Sequence, residues 1–261
     1  MVNVGVLASG KGSNFSAVLR HKQLGVLKEV NLSVLIFNNP DASVKDITVD
    51  FGIPSHFLDH RHKDRIEFER QLAAILDSHG VELICLAGWD RVVGIEFFQK
   101  YRWRMMNIHP ALLPSFGWKG LNARYVHQAA LEYGVKLTGC TVFFVDISVE
   151  KGPIILQSPV RILESEREMF ADRREEAIQS LSDRVLIHEH RTYPKAIQLY
   201  ADKRLRVEET TTHEEQRIRT RRTVAIDLSD NWETRWNKRQ QAFVEWQRKE
   251  WAERGRNVDE E

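Results

Sequence analysis

Asn107 and His109 stand two residues apart in "MNIHPALLPSFGWKG", residues 106–120, a stretch whose apolar start would suit a core strand. An amide donor beside an imidazole fits a carbonyl that becomes tetrahedral. Asn107 can donate to the developing oxyanion, and His109 can donate or transfer a proton. Pro110 and Pro114 fix φ at the exit and so hold the pair in place. A lone histidine after a strand is also commonly a structural residue. Two further stretches carry chemistry. In "VDISVEKGPIILQ" the acids Asp146 and Glu150 lie in a loop between strands, placed to hold an imidazolium or a water, or to stand simply as solvated loop carboxylates. In "ASGKGSN" the backbone donors of Gly12, Ser13 and Asn14 would point outward at a helix N-terminus, where phosphate is favoured. That spacing matches neither a dinucleotide fingerprint nor a P-loop, and it also reads as an ordinary tight turn.

Elements that could position these residues are visible around them. "VNVGVLA" is a short β-branched run that stops at "SGKGSN", and "FSAVLRHKQLG" follows with apolar residues at helical spacing. "VNLSVLIFN", "RIEFERQLAAILDSHG" and "VELICLAG" repeat the alternation, which predicts a doubly wound, mostly parallel α/β sheet flanked by helices. Asn107 and His109 then fall at the carboxyl end of a strand, the edge where ligands bind in such sheets. Beyond them the pattern predicts a helix at "NARYVHQAALEYG", strands at "CTVFFVDI" and "PIILQSPVRIL", and a charged helix from about Ser165 that Pro194 interrupts.

Composition restricts the partners. The 261 residues are 42% hydrophobic and 29% charged with a net charge of +1, which suits one compact α/β domain with an appendage. Long-range attraction to nucleic acid or anionic membrane is not expected. Cys85 and Cys140 lie in apolar runs without metal-ligand spacing, so reduced buried thiols, a cytoplasmic location and no metal are expected. The first residues lack a signal peptide's basic start, and no run approaches the ~20 apolar residues that span a bilayer.

The C-terminal part changes character. Residues 208–229 are expected to be a linker with a strand at "TVAIDLS", and residues 230–261 a charged, Trp-rich amphipathic helix opened by Asp230 and closed by Gly255. Trp232, Trp236, Phe243 and Trp246 share one side of it, so that face needs cover, with docking on the core or on a second subunit as a homodimer expected ahead of an external partner. Residues 207–261 hold 11 Lys/Arg against 13 Asp/Glu, net −2, which argues against an RNA-binding arm.

Taken in order, "ASGKGSN", "LAGWDRVVG", "NIHPALLP", "GCTVFFVD" with "KGPIILQ", and "HEHRTYPKAIQLYADKRLRV" resemble the phosphoribosylglycinamide formyltransferase family over residues 1–207. The resemblance implies a Rossmann-like formyltransferase fold and transfer of a formyl group from 10-formyltetrahydrofolate to the primary amine of glycinamide ribonucleotide, in purine synthesis. It also implies roles. Gly12, Ser13 and Asn14 match the loop that holds the ribonucleotide phosphate, and Glu189 matches a contact to its ribose and glycinamide part. Arg91, Val92 and Val93 match the lining of the folate pocket, to which Asp146 is added. Asn107, His109 and, counting back from "GPII", Glu150 match the catalytic residues, with Glu150 where the family has an aspartate.

Four departures accompany the match. Glu150 carries its carboxylate one methylene further out, Phe143 replaces a histidine common in the family, Asp90 puts a charge in the folate segment, and Trp118 fills a glycine position. They leave open a formyltransferase for another amine, a formyltetrahydrofolate hydrolase, or a folate- or nucleotide-binding regulatory protein. Methionyl-tRNA formyltransferase fits less well, because its C-terminal domain binds nucleic acid.

Overall fold

The computed structural model describes residues 1–117, 122–214 and 217–253. Trp118 and Gly255, singled out above, lie outside them. A sheet of seven strands forms the centre: β1 (Val2–Ala8), β2 (Val30–Phe37), β3 (Ser55–Phe57), β4 (Leu83–Leu86), β5 (Met105–His109), β6 (Leu137–Phe144) and β7 (Ile154–Arg161), in the spatial order β3-β2-β1-β4-β5-β6-β7. β1 to β5 pair in parallel, and β6 and β7 are antiparallel additions at one side. Val4 to Ala8 and Leu83 to Leu86 are buried without alternation, as expected of parallel strands covered on both faces.

Helices cover both faces. α1 (Ser13–Gln23), α5 (Ala123–Tyr133) and α7 (Arg174–Ala201) pack with β1, β5 and β6 through Phe15, Val18, Ile108, Val142, Ile178 and Leu181. α3 (Arg65–Ser78) and α4 (Ile95–Lys100) pack on the other face through Phe68, Leu72, Leu76, Phe97 and Phe98. Two short helices, α2 (Val44–Val49) and α6 (Glu164–Asp172), complete this layer order. α5 has a plain local explanation: the Asn122 side chain accepts from the Tyr125 amide, and Gly134 ends the helix at φ 76°.

α7 does not stop at Pro194, contrary to expectation, but continues to Ala201. One missing helical N–H is a small loss beside what the segment buries. Tyr193, Ala196, Ile197 and Leu199 are within the core, and the Tyr193 hydroxyl donates to the carbonyls of Leu86 and Met106 at 3.0 Å.

The C-terminal part also departs from the expected linker. β8 (Leu205–Glu214) and β9 (Arg217–Ile226) form an antiparallel hairpin that includes Glu208 onward. Alternation explains it: Leu205, Val207, Val224 and Ile226 pack on the main core, with Arg206 and the small Ala225 between them, a pattern masked in the sequence by the threonine-rich stretch. α8 (Trp232–Glu253) follows. Its aromatic face meets the core of its own chain. Trp232 and Trp236 stack 5.8 Å apart with an angle of 1° between their planes, and Phe243 stacks on His21 of α1 at 3.7 Å. The Asp230 carboxylate faces Arg204 at 3.7 Å instead of capping the helix.

Candidate active site

The carboxyl ends of β1, β4 and β5 open into one cleft of about 520 Å³ whose lining includes Ser13, Asn14, Arg91, Val92, Val93, Asn107, His109, Asp146, Glu150 and Glu189. Ten of the eleven candidate residues are thus gathered at one place. The remaining one, Gly12, shapes the turn beneath them. Its φ is 73°, and a Cβ there would come within 2.3 Å of Val44 Cγ2, so glycine is required both by conformation and by space.

His109, buried at the end of β5, is held from both sides. Its Nδ1 lies 3.0 Å from Glu150 Oε1, and its Nε2 lies 3.1 Å from the Phe116 carbonyl. Both ring nitrogens therefore face acceptors, an arrangement fully satisfied when both carry a proton. The loop that brings Glu150 leaves β6 beside the start of β5, where the Val145 amide donates to the Met105 carbonyl at 2.9 Å, and then doubles back along β5. Glu150 itself sits at φ 56°, and its second oxygen, Oε2, is buried without a partner. Glutamate in place of aspartate is thus accommodated by the path of the loop. Asn107 is half-buried two residues earlier. Its amide oxygen accepts from the Ile108 backbone at 2.9 Å, which leaves the NH₂ end to donate to a ligand.

Asn14 and Glu189 join the glycine turn to α7. Asn14 Nδ2 donates to Glu189 Oε2 at 2.7 Å, and the Asn14 amide oxygen is buried without a partner. Burial pushes the Glu189 carboxyl up to about 7, against the opposing pull of Asn14 and His109. His127 of α5 also lines the cleft, and burial brings its imidazole down to about 4, so it is neutral. Sequence reasoning passed over it because a histidine on an apolar helix face has no distinguishing signal.

The surroundings of Asp90 and Asp146 are resolved here. Asp90 remains exposed, and its Oδ1 accepts from Ser9 Oγ at 2.9 Å and Asn38 Nδ2 at 2.7 Å, so it does not place a bare charge on an apolar wall. The Asp146 carboxylate lines the cleft but is already engaged. Its Oδ1 accepts from the Ile147 amide at 2.6 Å, and Arg222 of β9 donates to Oδ2 at 2.7 Å. Arg222 was missed because a contact across 76 positions leaves no trace in local pattern. Phe143 is buried in the cleft wall. Among the described residues there is no cluster of His, Cys, Asp and Glu suited to a metal ion, and no helix long and apolar enough to cross a membrane.

Known proteins share this fold. The family described as "Formyl transferase" matches residues 2–197. The human trifunctional purine biosynthetic protein adenosine-3 is 38% identical over 199 residues, which are 76% of this chain and 18% of that protein. The chain therefore spans about a fifth of the length of that relative. Phosphoribosylglycinamide formyltransferase of Bacillus subtilis is 35% identical over 202 residues, 76% of this chain and 93% of that enzyme. The crystal structure of glycinamide ribonucleotide transformylase 1 from Symbiobacterium toebii superposes with a TM-score of 0.71 at 36% identity, covering 87% of this chain and 94% of that one. The chain belongs to the formyl transferase family. Within that family, two relatives that it matches over almost their whole length carry phosphoribosylglycinamide or glycinamide ribonucleotide in their names.

Proposed function

We propose that the chain transfers a formyl group from 10-formyltetrahydrofolate to the primary amine of glycinamide ribonucleotide, a step of purine synthesis. The observation that carries the reading is the His109–Glu150 contact at 3.0 Å beside Asn107, in the same cleft as the glycine turn and the 91–93 segment. The phosphate is assigned to Gly12, Ser13 and Asn14 and the glycinamide end to Glu189. The folate is assigned to Arg91, Val92 and Val93 with the 145–150 loop.

In this reading the neutral amine adds to the formyl carbon, and the formyl oxygen gains negative charge. Asn107 donates to that oxygen through Nδ2, and His109 donates through Nε2 once the Phe116 carbonyl gives way to substrate. Glu150 keeps Nδ1 paired and stabilises the imidazolium. The added amine loses a proton and the leaving folate nitrogen gains one as the carbon–nitrogen bond to folate breaks. An oxyanion donor contributes ~3 kcal/mol, and a positioned acid or base roughly 10²- to 10⁴-fold.

Partners of this reaction are small molecules, with neither nucleic acid nor membrane required. A cytoplasmic setting goes with it, supported by the free, buried thiols of Cys85 and Cys140. A homodimer through α8 draws no support from the aromatic face, which packs on α1 and α7.

The test is direct. Purified chain given glycinamide ribonucleotide and 10-formyltetrahydrofolate should release tetrahydrofolate, and H109A and N107A should abolish most of that release. Absence of turnover under conditions in which the Bacillus subtilis relative is active would remove the proposal.

A further inference from the structure

We propose that Arg222, which lies beyond the family-matched segment, is a positioning residue that holds the loop carrying Glu150 against His109. The inference rests on the formyl-transfer reading for its kinetic consequence, while its structural part is independent of it.

The loop from Val145 to Gly152 is fixed at three points. At its start the Val145 amide is bonded to Met105. At its end Gly152 passes so close to β6 that a Cβ would lie 1.7 Å from the Phe144 carbonyl oxygen. Between them, besides the Glu150–His109 contact itself, the Asp146–Arg222 ion pair reaches in from β9 to the loop's first turn. The Asp146 side chain is 3% exposed, so a carboxylate is held there almost without water. A single backbone N–H from Ile147 cannot replace the hydration it has lost, and the guanidinium supplies the balance.

Arg222 is in turn held in place. Its Nε lies 3.6 Å from Glu209 of β8, and Glu209 is also paired with Arg102, in the turn before β5. The chain of charges Arg102, Glu209, Arg222 and Asp146 thus ties the hairpin to the sheet at one end and to the cleft loop at the other. Without the guanidinium, Asp146 would have to move towards water, and the loop between it and Gly152 contains Glu150. A small displacement of Glu150 opens the contact to His109.

Four variants, with E150Q as the spectroscopic reference, and two kinds of readout test this. In R222M, kcat should fall roughly tenfold or more, as an ångström-scale misplacement of a reacting group does. The KM for the ribonucleotide should not change, because its phosphate turn lies between β1 and α1, away from the 145–152 loop. R222K should keep most of the activity by keeping the charge. At saturating 10-formyltetrahydrofolate, which removes any effect of Asp146 on folate binding, D146N combined with R222M should recover most of the kcat that R222M loses, since no buried charge then remains unpaired, and D146N alone should be milder than R222M. Independently of turnover, the ¹⁵N resonance of His109 Nδ1 should shift in R222M in the direction seen for E150Q.

Wild-type kcat in R222M, a double variant as slow as R222M, or an unmoved His109 resonance would overturn the proposal. If R222M does not fold, R222K and the double variant still carry the test, and a double variant that folds but shows the E150Q resonance would refute it. An inactive wild type would instead count against the formyl-transfer reading and leave the resonance test standing.

Discussion

Replacing Glu150 by aspartate restores the residue type that the family resemblance leads one to expect, yet the geometry predicts a slower enzyme. Glu150 Oε1 reaches His109 Nδ1 at 3.0 Å. Removing one methylene withdraws the carboxylate by about 1.5 Å, one carbon–carbon bond. The separation then becomes roughly 4 to 4.5 Å, beyond hydrogen-bond range. The backbone has little freedom to follow, because the loop is fixed at Asp146 by Arg222 and at Gly152 by the close approach to Phe144. A hydrogen bond to a charged group contributes ~1.5–3 kcal/mol, and if it is formed fully in the transition state its loss slows kcat roughly 10- to 150-fold. The left-handed backbone at position 150, φ 56°, is one that aspartate tolerates at least as well as glutamate, so a loss could not be attributed to strain there. Steady-state release of tetrahydrofolate by E150D and wild type, with circular dichroism to confirm equal folding, gives the measurement. An E150D enzyme within about twofold of wild type in kcat would refute the argument that loop path and side-chain length are matched.

Two further outcomes follow from the structure. Glu189 has its carboxyl raised from 4.5 to about 7, chiefly by burial, so the folded chain holds a proton there that the unfolded chain has released. Stability from this group is therefore greatest below about pH 4.5 and is lost as pH rises towards 7. Relative to E189Q, urea unfolding of wild type across that window should show a loss of up to about 3 kcal/mol, and parallel curves would refute the burial argument. Trp236 is fully buried between Trp232 and His21, so W236A should cost about 3–5 kcal/mol, measurable as a lower urea midpoint; a loss under about 1 kcal/mol would mean that α8 does not pack as described.

Legibility differed with the range of the interaction. The alternation of buried strands with helices, the turn at Gly12 and the capped α5 are local matters of period and end signals, and they are visible in "VNVGVLA", "SGKGSN" and "NARYVHQAALEYG". Gathering of Asn107 and His109 at the strand end follows from the same pattern. Glu150 could be paired with His109 only by counting from "GPII" within the resemblance, because a loop that doubles back has no periodicity. Of the hairpin, the end of β9 is legible at "TVAIDLS", whereas β8 is not: "EETTTHEEQ" lacks large apolar residues, and threonine marks a half-buried strand only when its partner strand is known. Pro194 does not end α7 because long-range packing outweighs the local preference of one residue.

Both elements of the C-terminal part act on the cleft, by different physics. α8 braces α7, the helix that carries Glu189. Arg191 donates to Gln247 at 2.8 Å, the Arg191 carbonyl accepts from Gln240 at 2.8 Å, and Lys195 pairs with Glu233 at 2.6 Å, all around a buried aromatic seam. Its main contribution is apolar area, which salt does not weaken. The hairpin instead acts through Arg222, whose side chain is 35% exposed and whose partner is not. Salt screens such a pair only partly, because the field lines run through the protein on the Asp146 side. Raising ionic strength should then weaken the Glu209 side of the charge chain first, since Glu209 is 38% exposed, while the bond to Asp146 persists. The geometry at Glu150 is for this reason less dependent on ionic conditions than a count of surface charges on the hairpin would imply.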